Sequence, residues 1–235
     1  MSEPRFFSLD YVEHATLRDG TAVYMRLVLP EDKEILRTGF DRLSPESRYA
    51  RFLAPKAALS DEELRYLCDV DHETHFAIGA ILDDSDDQEE DDGQGGRRRR
   101  TPVGLGIARF IKLADPPNTA EAAIAVADEV QHRGLGQLLF LRLVSAAAER
   151  GIERFRCEVL SSNASMAGLI AQIAPDRTIE VGQGVMSVEI TLPAVAPTQP
   201  PSEDARENQL YRLFRAAAQN AVEWTDAVRK LWRRQ

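Results

Sequence analysis

Apolar residues cluster along residues 21–29 and give that stretch strand character. Pro30-Glu31-Asp32 then opens a helix, with a proline and early acids where a helix N-terminus favours them. A second short helix starts at Ser44-Pro45-Glu46, and a third at Ser60-Asp61-Glu62-Glu63, which matches a capping box. Residues 75–82 and 102–112 are apolar-rich and predict two strands flanking a loop. Further on, residues 121–127 predict a buried strand and 134–150 an amphipathic helix ended by Gly151. Residues 155–160 predict another strand, 163–173 another helix, and 179–181 with 185–192 a hairpin around Gly182-Gln183-Gly184. The mixture predicts one α/β (α+β) domain over residues 1–192, with no internal repeat.

Two segments break this pattern. The loop 83–101 holds eight acids between Asp83 and Asp92, then Gly95-Gly96 and four arginines. Such composition cannot bury enough apolar surface to order itself, so it predicts a solvated hairpin tip. Residues 193–202 are a proline-rich linker, stiff and extended. Beyond it, Leu210, Phe214, Ala217, Ala221, Trp224, Val228 and Leu231 recur at spacings of four and three. That predicts one amphipathic C-terminal helix, 203–235, with a coiled-coil-like seam for a homodimer or another docking surface. Acids in its first turns and bases in its last complement the helix dipole.

Composition narrows the function. A net charge of −9 over 235 residues argues against non-specific nucleic-acid binding, which needs a basic surface. No stretch reaches the roughly 18 apolar residues of a membrane span, and the N-terminus has no secretory h-region. Cys68 and Cys157 lie far apart without metal or redox spacing, as expected of buried thiols in a reducing cytoplasm. Four scattered histidines make no zinc constellation.

The chemistry concentrates in the strand–turn–helix around Gln131-His132-Arg133-Gly134-Leu135-Gly136-Gln137. Glycines there let backbone approach a ligand without Cβ interference. The first N–H groups of the helix lack internal partners, and its dipole favours an anion such as a pyrophosphate. His132 and Arg133 either add positive charge or face water. No Gly-Lys-Ser/Thr follows, so this is not a P-loop, and the glycines are out of register for a dinucleotide fingerprint. A plain glycine-tolerant turn is the competing reading.

Gln131-x-x-Gly134-x-Gly136 resembles the Arg/Gln-x-x-Gly-x-Gly/Ala signature of the GNAT N-acetyltransferase superfamily. Leu17-Arg18-Asp19-Gly20, Pro30-Glu31-Asp32, Leu43-Ser44-Pro45-Glu46-Ser47-Arg48-Tyr49-x-Arg51-Phe52, Ala120-Glu121 and Val159-Leu160-x-x-Asn163-x-x-Met166 are similar to the bacterial protein lysine acetyltransferase (Pat) type of that domain. The resemblance implies a central mixed, mostly antiparallel sheet, splayed after its fourth strand and flanked by helices. It implies acetyl-CoA as cosubstrate and a primary amine, a protein lysine, as acceptor. Ile124 and Val126 would lend backbone groups to pantetheine, residues 131–137 would hold the pyrophosphate, and Asn163 would face the cofactor. Glu121 would be the general base, its pKa raised by partial burial, since a lysine amine must lose a proton before attack; the competing reading is a surface glutamate at a strand edge. Asp128 and Glu129 are fallback bases. The chain departs from the superfamily at Ile170, where many members place a tyrosine that protonates the thiolate, and at Ala174-Pro175, where Gly-Phe is usual. A non-catalytic acyl-CoA-sensing or docking module is therefore the alternative. Pat-type proteins often carry a regulatory cyclic-nucleotide or acyl-CoA-synthetase-like domain, for which this chain has no room.

Overall fold

Burial alternates most plainly in the strand Ala22–Leu27 (β2), where Val23, Met25 and Leu27 are buried while the residues between them are more exposed. That is the period-two signature of one face on a core. A computed structural model describes residues 5–83, 90–91, 97–98, 102–174 and 177–192. The proline linker, the C-terminal helix and most of the acidic loop predicted above lie outside the described residues.

β2 is preceded by Val12–Thr16 (β1). A 3-10 turn, Pro30–Asp32, then leads into the helices Lys33–Asp41 (α1), Pro45–Phe52 (α2) and Asp61–Cys68 (α3). The strand His75–Leu82 (β3) follows, then a short ribbon, Glu90–Asp91 (β4) with Arg97–Arg98 (β5). Gly104–Lys112 (β6), Thr119–Val126 (β7), Leu135–Ala148 (α4), Arg154–Leu160 (β8), Ala164–Ile173 (α5), Thr178–Gly182 (β9) and Val185–Thr191 (β10) complete the elements. The strands form an eight-stranded, mostly antiparallel sheet in the order β1-β2-β3-β6-β7-β8-β10-β9. The predicted mixed architecture is thus present, with one addition. β1 was not expected, and it makes the strand predicted to border the splay the fifth of the main sheet.

The chain divides into two compact units, which are described separately. The first comprises Leu9–Arg109 and Ile124–Leu139. Its core includes Val23, Met25, Phe76, Ile78, Ala80, Leu135 and Leu139, all fully buried. The expected capping box starts α3, because Ser60 N–H donates to Glu63 at 2.8 Å and Glu63 N–H to Ser60 Oγ at 3.2 Å. The acid expected to favour a helix dipole at Asp32 has a different role. It is buried and accepts both guanidinium arms of Arg26 at 2.6 Å, together with Leu29 N–H at 2.8 Å.

The second unit holds the described parts of Met1–Ser8, Phe110–Ala123 and Phe140–Gln235. Phe155 packs between Phe110, centroids 6.0 Å apart, and Phe140 at 6.3 Å. The parallel ladder joins β7 to β8 through Thr119–Arg154, Ala120–Phe155 and Glu121–Arg156, and its last pair is at Glu121. α4 was expected to be amphipathic, but its residues 138–144 are all buried, including Arg142 at 1% exposure. A helix apolar on all sides belongs in a core, so the stripe predicted on it does not exist. Gly151 ends α4 and β9–β10 form the hairpin, both as expected.

Candidate active site

The glycine turn lies in the first unit and is built from the end of β7 outward. Ala127 N–H donates to Leu105 O at 2.9 Å, and a 3-10 turn, Asp128–Val130, follows. His132 and Gly134 both adopt positive φ, 60° and 93°. Glycine at 134 makes the second of these cheap, whereas an exposed histidine carries the first. Leu138 N–H makes the first intrahelical bond, to Gly134 O at 3.0 Å. The N–H groups of Leu135, Gly136 and Gln137 precede that bond and point out of the helix start. A helix start of this kind carries the unpaired donors, a backbone cradle, that an anion site needs.

The side chains of the motif act differently from the cradle. Gln131 was expected to touch the cofactor, yet its Nε2 donates inward to Val126 O (3.2 Å), Ser47 Oγ (3.2 Å) and Asp128 Oδ1 (3.3 Å). It clamps the turn shut, and in doing so occupies the carbonyl of Val126. Arg133 forms an ion pair with Asp19, and its carbonyl accepts Arg18 N–H at 3.1 Å. Its charge is therefore shared with the β1–β2 turn. Thr21, first by its hydroxyl, and Arg133 hold the Asp19 carboxyl below its ordinary range. Leu135 is fully buried and contributes only its backbone to the cradle.

The two fallback bases are engaged in structure. Asp128 accepts Ser44 N–H (2.8 Å), Ser44 Oγ (3.0 Å) and Ser47 Oγ (2.7 Å). Burial pushes its carboxyl up, but the hydrogen bonds from Ser47 and Ser44 outweigh it and leave the group below its usual pKa. A carboxylate so stabilised is a poor base. Glu129 pairs with Arg42.

Those contacts also explain residues 43–52. Ser44 and Ser47 tie the start of α2 to Asp128, and Arg48 donates to Leu43 O (3.0 Å), Ala57 O (2.7 Å) and Asp41 O (3.0 Å). Its guanidinium also lies 4.5 Å from the Phe40 ring centroid. Sequence reading singled out the run only by resemblance; its physical content is a set of clamps between α1, α2 and the turn. Gly106 on β6 gave no signal at all. A Cβ there would stand 2.9 Å from Leu139 Cδ1, 3.2 Å from Ala125 O and 3.3 Å from Leu135 Cδ2. Only glycine lets the start of α4 approach the strand so closely.

In the second unit, Glu121 is exposed on β7, opposite Arg156 of β8. The partial burial expected of Glu121 is absent. Burial, and then the charge of Glu121, push the buried Cys157 thiol up to about 12. That thiol is inert, and like Cys68 it is free. Asn163 caps α5, accepting Met166 N–H at 3.0 Å. Its Oδ1 serves the helix. Ile170 is buried, as a core residue and not a proton donor. Ile124 and Val126 are half-buried at the end of β7, the strand that also carries Glu121.

Residues 45–173 match the model of the acetyltransferase (GNAT) family. The acetyltransferase Pat of Mycolicibacterium smegmatis is 29% identical over 215 residues, 86% of this chain. The chain spans only 56% of that relative's length. An acetyltransferase of Pseudomonas aeruginosa is 27% identical over 172 residues, covering 71% of this chain and 84% of its own. Among solved structures, the GNAT domain of S. lividans Pat is 26% identical with a TM-score of 0.64, over 77% of this chain and 97% of that one. With the glycine turn, the sheet order and more than half of the chain matched, this protein belongs to the GNAT acetyltransferase family.

Proposed function

We propose that the chain transfers an acetyl group from acetyl-CoA to a primary amine, a protein lysine, with Glu121 as the base. One observation carries the cosubstrate: the three backbone N–H groups at the start of α4, held by the Gly106 approach and the Gln131 clamp. They suit the pyrophosphate of CoA, with Ile124 and Val126 beside pantetheine and the Asn163 amide toward the cofactor. In this reading the acceptor ammonium loses a proton to Glu121, directly or through water. The freed nitrogen attacks the thioester carbonyl, the N–C bond forms and the C–S bond breaks. The nitrogen's second proton passes through solvent to the departing thiolate, leaving the amide and CoA thiol; a thiolate is a good leaving group, so the absent tyrosine at 170 is not required for departure.

The lysine acceptor is supported by the Pat relatives and by the net charge of −9, which attracts a basic partner. Two buried free thiols suit a reducing cytoplasm. Among the described residues no helix is long and apolar enough to cross a membrane. A homodimer through residues 203–235 completes the proposal and rests on their sequence pattern alone.

Gly136→Glu tests the cosubstrate. It sets a side chain and a negative charge against the pyrophosphate, so acetyl-CoA binding by calorimetry should fall below detection in a folded protein. Unchanged affinity would sink the reading. For the acceptor, acetylation of protein lysines should exceed that of polyamines and aminoglycosides; the reverse order would refute lysine.

A further inference from the structure

His132 is exposed, carries a Cβ, and yet holds φ at 60°. For a residue other than glycine that left-handed conformation is costly, and it persists only where the surrounding fold restrains it. Both of its neighbours are tied down. On one side the Gln131 amide donates inward to Val126 O, Ser47 Oγ and Asp128 Oδ1. On the other side the turn between β1 and β2 grips Arg133 twice. Asp19 pairs with its guanidinium, and Arg18 N–H donates to its carbonyl at 3.1 Å.

The gripping turn is itself cross-linked. Leu17 N–H donates to Thr21 O at 2.8 Å, and Gly20 N–H donates to Leu17 O at 3.0 Å. Leu17 is 3% exposed and anchors the turn from below. Asp19 is fixed within it, because the Thr21 hydroxyl donates to Oδ2 at 2.8 Å and Thr21 N–H to Oδ1 at 3.2 Å. This turn and the glycine turn belong to the same unit, the first. β1 is an edge strand of the main sheet, and its turn reaches back to the segment that opens α4.

Asp19 acts on an anion site in two opposed ways. Its charge repels the anion, whereas its grip on Arg133 shapes the turn that meets it. The pair is open to water, with side chains 40% and 33% exposed, so its field is screened by solvent and salt. A backbone restraint is not screened, and it outweighs the repulsion.

We propose that Asp19 is a positioning residue for the cosubstrate: through Arg133 it holds His132 left-handed and so fixes how the N–H groups of residues 135–137 are presented. The ligand in this statement rests on the acetyl-CoA reading; the conformational restraint does not.

Asp19→Asn keeps an acceptor for Thr21 and removes the charge that grips Arg133. By calorimetry it should weaken acetyl-CoA binding roughly fivefold or more, at low and high salt alike. Glycine takes a positive φ without a Cβ penalty, so His132→Gly removes the need for the brace. In that background Asp19→Asn should cost less than about twofold. Arg133→Gln breaks the same pair from the other side, should show the same dependence on residue 132, and decides the matter where Asp19→Asn does not fold. Equal losses in the His132 and His132→Gly backgrounds would mark a merely structural role, and tighter binding by Asp19→Asn would mark a charge effect. Either result overturns the proposal. Amide hydrogen exchange without ligand gives an independent reading. Arg18 and Leu138, which donate to Arg133 O and Gly134 O, should exchange faster in Asp19→Asn, while Val28, bonded to Ala77 O, holds. Unchanged exchange at Arg18 and Leu138 would also overturn it. Should the wild type bind no acetyl-CoA, the cosubstrate reading falls and the exchange measurement alone decides the brace.

Discussion

Two glycine substitutions of opposite expected sign test how the cradle is held. A methyl group at Gly106 would meet Leu139 Cδ1 at 2.9 Å, Ala125 O at 3.2 Å and Leu135 Cδ2 at 3.3 Å. Leu135 and Leu139 are fully buried, and the Ala125 carbonyl is backbone. Gly106→Ala should therefore cost about 1–3 kcal/mol, the usual range for overpacking a filled core. At ~2–4 °C per kcal/mol for a chain of this size, melting should fall by roughly 2–12 °C. Gly168 on α5 is the control, since a Cβ there meets nothing within 4 Å. Removing a helix glycine at an open position should stabilise by about 0.5–1 kcal/mol, so Gly168→Ala should melt higher. Differential scanning calorimetry reads both, and acetyl-CoA calorimetry adds a second readout. Pushing the first turn of α4 off the strand displaces the N–H groups of residues 135–137, so affinity should fall with Gly106→Ala and hold with Gly168→Ala. Equal melting of Gly106→Ala and wild type would show that α4 relaxes freely and that close approach does not shape the cradle.

Three further outcomes are expected. Glu121→Gln keeps shape and removes basicity, so turnover should fall about 10²–10⁴-fold while acetyl-CoA binding holds; an unaltered acidic limb in its pH–rate profile would exclude Glu121 as the base. His75 has a folded pKa depressed from 6.5 to about 4, so it takes up a proton more readily when unfolded. The stability it contributes should be intact above about 6.5 and be lost as the pH falls towards 4. Asp71, lowered to about 2, acts in a separate window below 3.8. Urea melts of wild type and His75→Gln across that range should converge at low pH, and parallel curves would refute the assignment. Deleting residues 194–235 should convert a dimer to a monomer with acetyl-CoA binding intact, and a monomeric full-length protein by light scattering would end the dimer proposal.

What could be read from the sequence followed from how local the cause was. The Ser60–Glu63 box, the strand His75–Leu82 and the hairpin β9–β10 depend on residues near in sequence, and each stands where expected. β1 escaped because its pattern is inverted: Val12 is 54% exposed while Glu13 is 6% exposed and bonded to Tyr11. An alternation that buries the acid and exposes the valine carries no strand signal by polarity. α4 escaped in the opposite direction, since an amphipathic helix was expected and tertiary packing buries residues 138–144 without a break.

The motif around residue 131 shows the same division within a single stretch. The location of the turn was legible because Gly134 and Gly136 are backbone devices, and a positive φ at 134 needs no distant partner. The roles of Gln131 and Arg133 were not, because one of Gln131's three acceptors, Ser47, and the Arg133 partner Asp19 lie 84 and 114 residues away. A polar side chain in an anion-binding turn has two uses, to meet the ligand or to hold the loop. Its letter is the same in both. The hydrogen-bond inventory decides: Gln131 Nε2 has three acceptors inside the fold, and Arg133 has the Asp19 carboxylate. The backbone is then the part of the turn available to an anion, which is why a charge placed at Gly136 should harm binding more than loss of the Arg133 charge.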